Sequence, residues 1–309
     1  MILALAGGVG GAKLAAGLAR ALPPGELVVV VNTGDDFDHL GLHVSPDLDT
    51  VMYTLAGLAN PQAGWGREGE SWNFMQAMDQ LGGPAWFQLG DKDLATHVER
   101  TRCLRSGESL TSVTRALCGR LGVRHAVLPM SDDPVRTVVH TDKGELEFQH
   151  YFVRDRCEPR VSRIEYRKAG AARPSPGFAA TLADPALEGI IVCPSNPYLS
   201  IAPILAIPGV RDAVARCPNV VAVSPIIAGR AVKGPAAKLM RELGVEPGAL
   251  EIARWYSGIA RTLVIDRSDA ALVPSIEALG IEAALEDALM RDDADRERLA
   301  RACLARLGS

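Results

Sequence analysis

Ile2-Leu3-Ala4-Leu5-Ala6-Gly7-Gly8-Val9-Gly10-Gly11-Ala12-Lys13 and, one helix further on, Leu27-Val28-Val29-Val30-Val31-Asn32-Thr33-Gly34-Asp35-Asp36 decide the fold class. Each begins with a short, unbroken apolar run. Residues 11–22 between them form an amphipathic helical pattern that Pro23-Pro24 stops. Continuous apolar strands joined by a helix belong to a parallel sheet covered on both faces, since a strand with one wet face alternates instead. The pattern returns at 127–129, 189–193, 219–223 and 263–266, and 86–89 reads as one more strand end opening into a helix. Helical stretches are expected at 94–104, 110–121, 235–243 and 292–307, and a loop at 169–177.

The expected architecture is therefore α/β: a Rossmann-like, doubly wound, mostly parallel sheet with an antiparallel hairpin insertion. The insertion is read from alternation on both sides of Asp142-Lys143-Gly144. The chain is expected to form a single unit over 1–309, with its core in 1–134 and 186–267. The hairpin insertion occupies 135–185 and a helical segment 268–309.

Hydrophobic residues make up 48% and charged residues 23% of the 309 positions, the balance of an ordinary globular protein. A formal net charge of −4 offers no general field for nucleic acid or anionic lipid, so any phosphate binding must come from local geometry. No apolar run approaches the roughly 20 residues of a membrane span. The first residues read as a strand and not as a signal peptide, and six scattered cysteines without a Cys-x-x-Cys pair suit reduced thiols. A cytoplasmic location is the expectation.

The glycine loop 7–13 follows the first strand directly. Glycine lets a backbone approach an anion closely, and the next helix offers unpaired N–H groups and a positive dipole end. Gly7, Gly8, Gly10, Gly11 and Lys13 are thus candidates for holding a diphosphate, against the plainer alternative of a tight turn. Lys13 stands where a dinucleotide-binding fingerprint has its third glycine, and no glycine precedes it as a P-loop requires. The carboxylates Asp35, Asp36, Asp38, Asp47 and Asp49 crowd into fifteen residues. Helix capping explains one of them; packed acids otherwise repel unless a cation is shared. Mg²⁺, which takes one or two carboxylates plus substrate phosphate oxygens, fits best.

Other segments are less decisive. His39 and His43 are four apart, but Gly41 and the lack of a third ligand favour a loop over a zinc site. Lys92, between Asp91 and Asp93, suits a phosphate or a developing oxyanion. Ser195 and Asn196, after the 189–193 run, are short donors for a phosphate or a base edge, or else a rigid turn. The loop 223–235, carrying Arg230 and Lys233, reads equally well as a ligand loop or a surface turn.

In order along the chain, 7–13, 31–36, 47–55, 86–95, 128–133, 148–149, 194–197 and 223–226 resemble the 2-phospho-L-lactate transferase family of coenzyme F420 biosynthesis. The match extends to about Asp266, with Val9 where many relatives carry Thr. The resemblance implies a Mg²⁺-dependent transferase that is a homodimer. It would move a phospho-three-carbon acid (2-phospholactate, phosphoenolpyruvate or phosphoglycerate type) from a guanosine diphosphate-linked donor to the deazaflavin Fo, releasing GMP. By the same carry-over, Asp49 and Lys92 contact the deazaflavin, and Asp35, Asp36 and Asp49 form the metal neighbourhood. The glycine loop with Ser195 and Asn196 serves the guanosine diphosphate. Asp49, Lys92 and Asp36 are the catalytic candidates, with Asp49 as proton acceptor. Two rivals remain: a non-catalytic nucleotide-sugar-binding regulator of the wider superfamily, and an NAD-dependent oxidoreductase, which Lys13 argues against.

Overall fold

The computed structural model describes residues 1–232 and 234–308, so Lys233 lies outside the described residues. Seven strands form the main sheet: β1 (Ile2–Ala6), β2 (Leu27–Val31), β3 (Ala126–Pro129), β4 (Gly189–Val192), β5 (Val220–Val223), β6 (Thr262–Asp266) and β7 (Glu282–Glu286). Their order is β7-β6-β5-β4-β1-β2-β3, and every neighbouring pair is parallel. Alternate residues of each strand feed two separate cores. Leu3, Leu5, Val28 and Val30 face one, while Ile2, Ala4, Val29 and Val31 face the other. Two buried faces are why these runs are continuously apolar.

Successive strands β1, β2 and β3 run outward on one side, and β4 returns to the opposite side of β1. The crevice between β1 and β4, at the carboxyl ends of the strands, is the switch point where open α/β sheets bind ligands. Helix α1 (Gly8–Ala21) leaves β1 there, α2 (Pro46–Leu55) packs against α1, and α3 (Asp91–Arg105) follows. The insertion is a separate three-stranded antiparallel sheet, with Arg136–Thr141 between Gly144–Glu147 and Val161–Arg167.

Several local expectations change. Residues 86–89 form no strand; Trp86 and Phe87 instead pack edge-on against each other and around Phe37 and His39. His39 and His43 lie not in a loop but on the paired strands Phe37–His39 and Leu42–Val44. The two-residue turn between them places Leu40 and Gly41 at positive φ (53° and 73°), the geometry that tight hairpins need. The 169–177 loop holds a short helical turn, Ala169–Ala171, and the start of helix Pro176–Ala183. The 268–309 segment is not wholly helical, because Glu282–Glu286 supplies the edge strand β7. Its Glu-Ala-Ala-Leu-Glu sequence has little strand preference, and pairing along β6 overrides it. No single described helix is long and apolar enough to cross a membrane.

Candidate active site

A cleft of about 600 Å³ opens at the switch point. Its floor is the glycine loop, α2 contributes Asp47 and Asp49, α3 contributes Asp93 and His97, and the loop after β4 contributes Ser195 and Asn196. Aromatic side chains Trp65, Trp86, Phe87, Phe148 and Phe152 build the opposite wall, with Phe148 and Phe152 stacked at 5.3 Å. Trp65 and Phe152 are exposed at the rim.

The glycines close the floor against the protein itself. A Cβ on Gly10 would overlap the Pro194 carbonyl, so only glycine lets α1 approach the β4 loop this closely. Ser195 Oγ stitches the two together, accepting from Gly7 N at 3.1 Å and donating to Gly7 O at 2.8 Å. Asn196 Oδ1 accepts from the N–H groups of Tyr198 and Leu199, capping the turn beyond. Gly8, at φ +62°, donates its N–H to Asp47 Oδ1 at 2.7 Å. Lys13 Nζ donates to Met290 O.

The acids do not converge on one point. Among the described residues, Asp35, Asp36 and Asp49 do not bring ligand atoms within 4.8 Å of one another. Asp35 instead meets Asp47 across the buried amide of Asn32, whose Nδ2 donates to Asp47 Oδ2 at 2.9 Å and to Asp35 Oδ1 at 3.2 Å. Burial first, then repulsion from Asp47 and Asp36, holds the Asp35 carboxyl well above the usual range. Burial likewise pushes Asp47 up to about 6, against the pull of Asn32 and Gly8. Asp36 faces away from the cleft: its Oδ2 accepts from Ser45 Oγ at 2.9 Å and lies 3.1 Å from His43 Nε2, while its Oδ1 is buried without a partner.

Asp49 is held differently. Arg100, only 1% exposed, meets both of its oxygens, one at 3.0 Å and the other in a close ion pair. Burial still raises the Asp49 carboxyl, with Arg100 opposing. His97 sits between Asp49 and Asp93, at 3.6 and 3.4 Å, and Tyr53 donates its hydroxyl to Asp93 at 2.7 Å. Asp49, Asp93 and His97 could gather a metal ion, but a buried guanidinium already pairs with Asp49. Arg100 was not read from the sequence. The available signal was the spacing of Asp93, His97 and Arg100, which puts all three on one face of a helix. Lys92 does not line the cleft. Its Nζ donates at 3.0 Å to Glu68 O, tying α3 to the glycine-rich loop that carries Trp65.

Asp35 and Asp47 therefore suit a divalent cation. They are buried carboxylates beside the glycine loop whose hydrogen bonds come from amides and not from a cationic side chain, and they repel each other, with the charge of Arg136 only partly opposing this at Asp35. Among the described residues, a second acid and histidine cluster, His140, Glu145 and Glu165 on the insertion, is laced with Arg163 and Arg167.

A family model described as 2-phospho-L-lactate transferase CofD matches residues 2–301. The chain is 43% identical over 299 residues to a phosphoenolpyruvate transferase of Streptomyces griseus, covering 94% of this chain and 93% of that one. It is 38% identical over 299 residues to a 2-phospho-L-lactate transferase of Methanosarcina mazei, covering 97% and 98%. A solved structure from Bacillus halodurans, a member of the upf0052 family, is similar over 98% of each chain with a TM-score of 0.63. At 13% identity that likeness speaks for the fold alone.

Two consequences follow for stability. Arg100→Met removes the guanidinium from buried Asp49, leaving only His97 at 3.6 Å, and should cost about 3–5 kcal/mol in urea unfolding. Adding Asp49→Leu should recover much of the loss, whereas an unchanged midpoint in the single variant would remove the pair from the fold's support. The second concerns pH. Because folding raises Asp47 from 3.8 to about 6, its contribution to stability is full below pH 3.8 and lost as pH rises through about 6. In chelator, the melting temperature of the parent should therefore fall relative to that of Asp47→Asn between about pH 4 and 6 and run parallel to it above about pH 7. Profiles that are parallel in the lower range as well would contradict the shift.

Proposed function

The chain belongs to the 2-phospho-L-lactate transferase family and is a transferase; on that footing we propose that it moves a phosphate-linked three-carbon acid from a guanosine diphosphate-linked donor to the terminal hydroxyl of the deazaflavin Fo. GMP leaves, and the product belongs to coenzyme F420 biosynthesis. The observation that carries this reading is the buried pair Asp35 and Asp47, held by neutral donors beside the N-terminus of α1. Asp35 and Asp47 would hold Mg²⁺, which when bound supplies the positive charge that the donor's diphosphate oxygens need.

The chain's own groups then have separable tasks. Val9 and Gly10, in the first turn of α1, offer backbone N–H groups and the positive end of the helix to the diphosphate. The aromatic wall of Trp65, Trp86, Phe148 and Phe152 suits a planar tricyclic ring, which gains most from stacking. The acceptor's hydroxyl oxygen attacks the phosphorus that bears the acid, and the bond from that phosphorus to the oxygen of GMP breaks. Asp49 takes the hydroxyl proton. Its carboxyl is raised by burial, which favours a base, and Arg100 fixes its orientation.

Relatives from three Streptomyces sources and one Kitasatospora source, 40–43% identical, carry the name phosphoenolpyruvate transferase, which makes the enolpyruvyl donor the first to test. Purified protein, Fo and Mg²⁺ would be mixed with the guanylylated enolpyruvyl, lactyl or glyceryl phosphate in turn, with products read by mass spectrometry. A deazaflavin gaining the phospho-acid mass, with one GMP released per product, is expected for the enolpyruvyl donor. Asp49→Asn should slow that transfer by about 10²–10⁴-fold while GDP still binds. Folded protein that binds GDP yet yields no product with any donor would favour a non-catalytic nucleotide-binding role.

A further inference from the structure

The acids of the cleft are oriented by two chemically different devices. Asp49 is gripped by the guanidinium of Arg100, which both orients it and cancels its charge. Asp35 and Asp47 are gripped by the side-chain amide of Asn32, which orients them and leaves their charge in place. Asn32 is fully buried at the end of β2, and its backbone N–H donates to Ala6 O at 3.0 Å. Its two Nδ2 protons serve three acceptors: Asp47 Oδ2 at 2.9 Å, Asp35 Oδ1 at 3.2 Å and Leu199 O at 3.3 Å. Its Oδ1 accepts from Gly34 N at 2.8 Å. One side chain thereby joins the β2 loop, α2 and the segment after β4.

An orienting group that is neutral is what a cation site requires. A lysine or arginine at position 32 would hold the same carboxylates but occupy the charge that a divalent ion must meet. A purely apolar residue would leave two repelling acids free to move apart. Gln149, reaching from the insertion to within 3.4 Å of Asp35 Oδ2, is again a neutral amide. Gly8 holds the far oxygen of Asp47 with a backbone N–H, also neutral.

We propose that Asn32 is a positioning residue for the divalent cation: its side-chain amide fixes the separation of Asp35 and Asp47, and its lack of charge leaves them able to bind the ion. This rests on the assignment of the cation to those two carboxylates. Asn32 touches neither donor nor acceptor in this role; it acts through the two acids. A purely structural role would lie in the bond from Gly34 N to Oδ1, which closes the turn after β2.

The two roles separate in Asn32→Ser. A serine hydroxyl can accept from Gly34 N–H and so keep the turn, but its single proton cannot bridge two carboxylates. Mn²⁺ serves as the probe, with free ion counted by electron paramagnetic resonance, alone and with GDP present. Asn32→Ser and Asn32→Ala should each weaken Mn²⁺ binding about 10–100-fold, with folding verified by thermal denaturation in chelator. Asn32→Ser that folds and binds Mn²⁺ as tightly as the parent would overturn the positioning role. Asp47→Asn separates the two layers of inference. If it loses Mn²⁺ while Asn32→Ser keeps it, only the role of Asn32 falls. If it binds Mn²⁺ unchanged, the cation is elsewhere and both statements fall. Should neither Asn32 variant fold, the unmodified protein decides: Mn²⁺ should broaden the Asn32 side-chain amide resonance at low occupancy, and a sharp resonance at saturation refutes the proposal.

Discussion

Negative charge buried at the carboxyl edge of the sheet is the constraint on which the site depends. Asp35, Asp47 and Asp49 all have their ionised forms disfavoured by burial, so each needs compensation from a cation, a proton or a donor. The protein supplies a guanidinium to one and only amides to the other two. That difference divides the cleft chemically. The Asp49 side, with Arg100, His97, Asp93 and Tyr53, is a network of internal hydrogen bonds and ion pairs. On the Asp35 and Asp47 side the hydrogen-bond donors are neutral, and the charge of Arg136 only partly opposes the repulsion at Asp35.

The fold delivers these groups through three strand ends and one helix start. β1 turns into α1 through glycines that lie flush with the β4 loop, and Ser195 locks the two strand ends together. β2 ends in Asn32, and the next residues carry Asp35 and Asp36. The short hairpin then returns the chain to α2, whose first turn holds Asp47 and Asp49 two residues apart and so on different sides of the helix. One carboxylate therefore faces Asn32 and Gly8 while the other faces Arg100 on α3. An aromatic wall from the 56–72 loop, residues 86–87 and the insertion faces both.

Much of this was legible from the residues. Strands buried on both faces announce themselves as unbroken apolar runs, which is why β1, β2, β4, β5 and β6 were found. The glycine loop and the crowding of aspartates also show in the sequence, because both are local. Partnership is not local. Nothing near Asp49 indicates that Arg100, 51 positions on, will bind it, and Asn32 looks like an ordinary turn residue until α2 arrives beside it. β7 was hidden because Ala and Glu favour helices and only its neighbour β6 holds it extended. Trp86 and Phe87 read as a strand by composition, yet their rings are used to cover Phe37 and His39.

Diffraction at the manganese edge from crystals grown with Mn²⁺ and GDP addresses the charge division directly. One anomalous peak bonded to a carboxylate oxygen of both Asp35 and Asp47, with Arg100 still on Asp49, is the expected result. A peak on Asp49, Asp93 and His97 with Arg100 displaced, or Mn²⁺ bound to GDP without either Asp35 or Asp47, would contradict it.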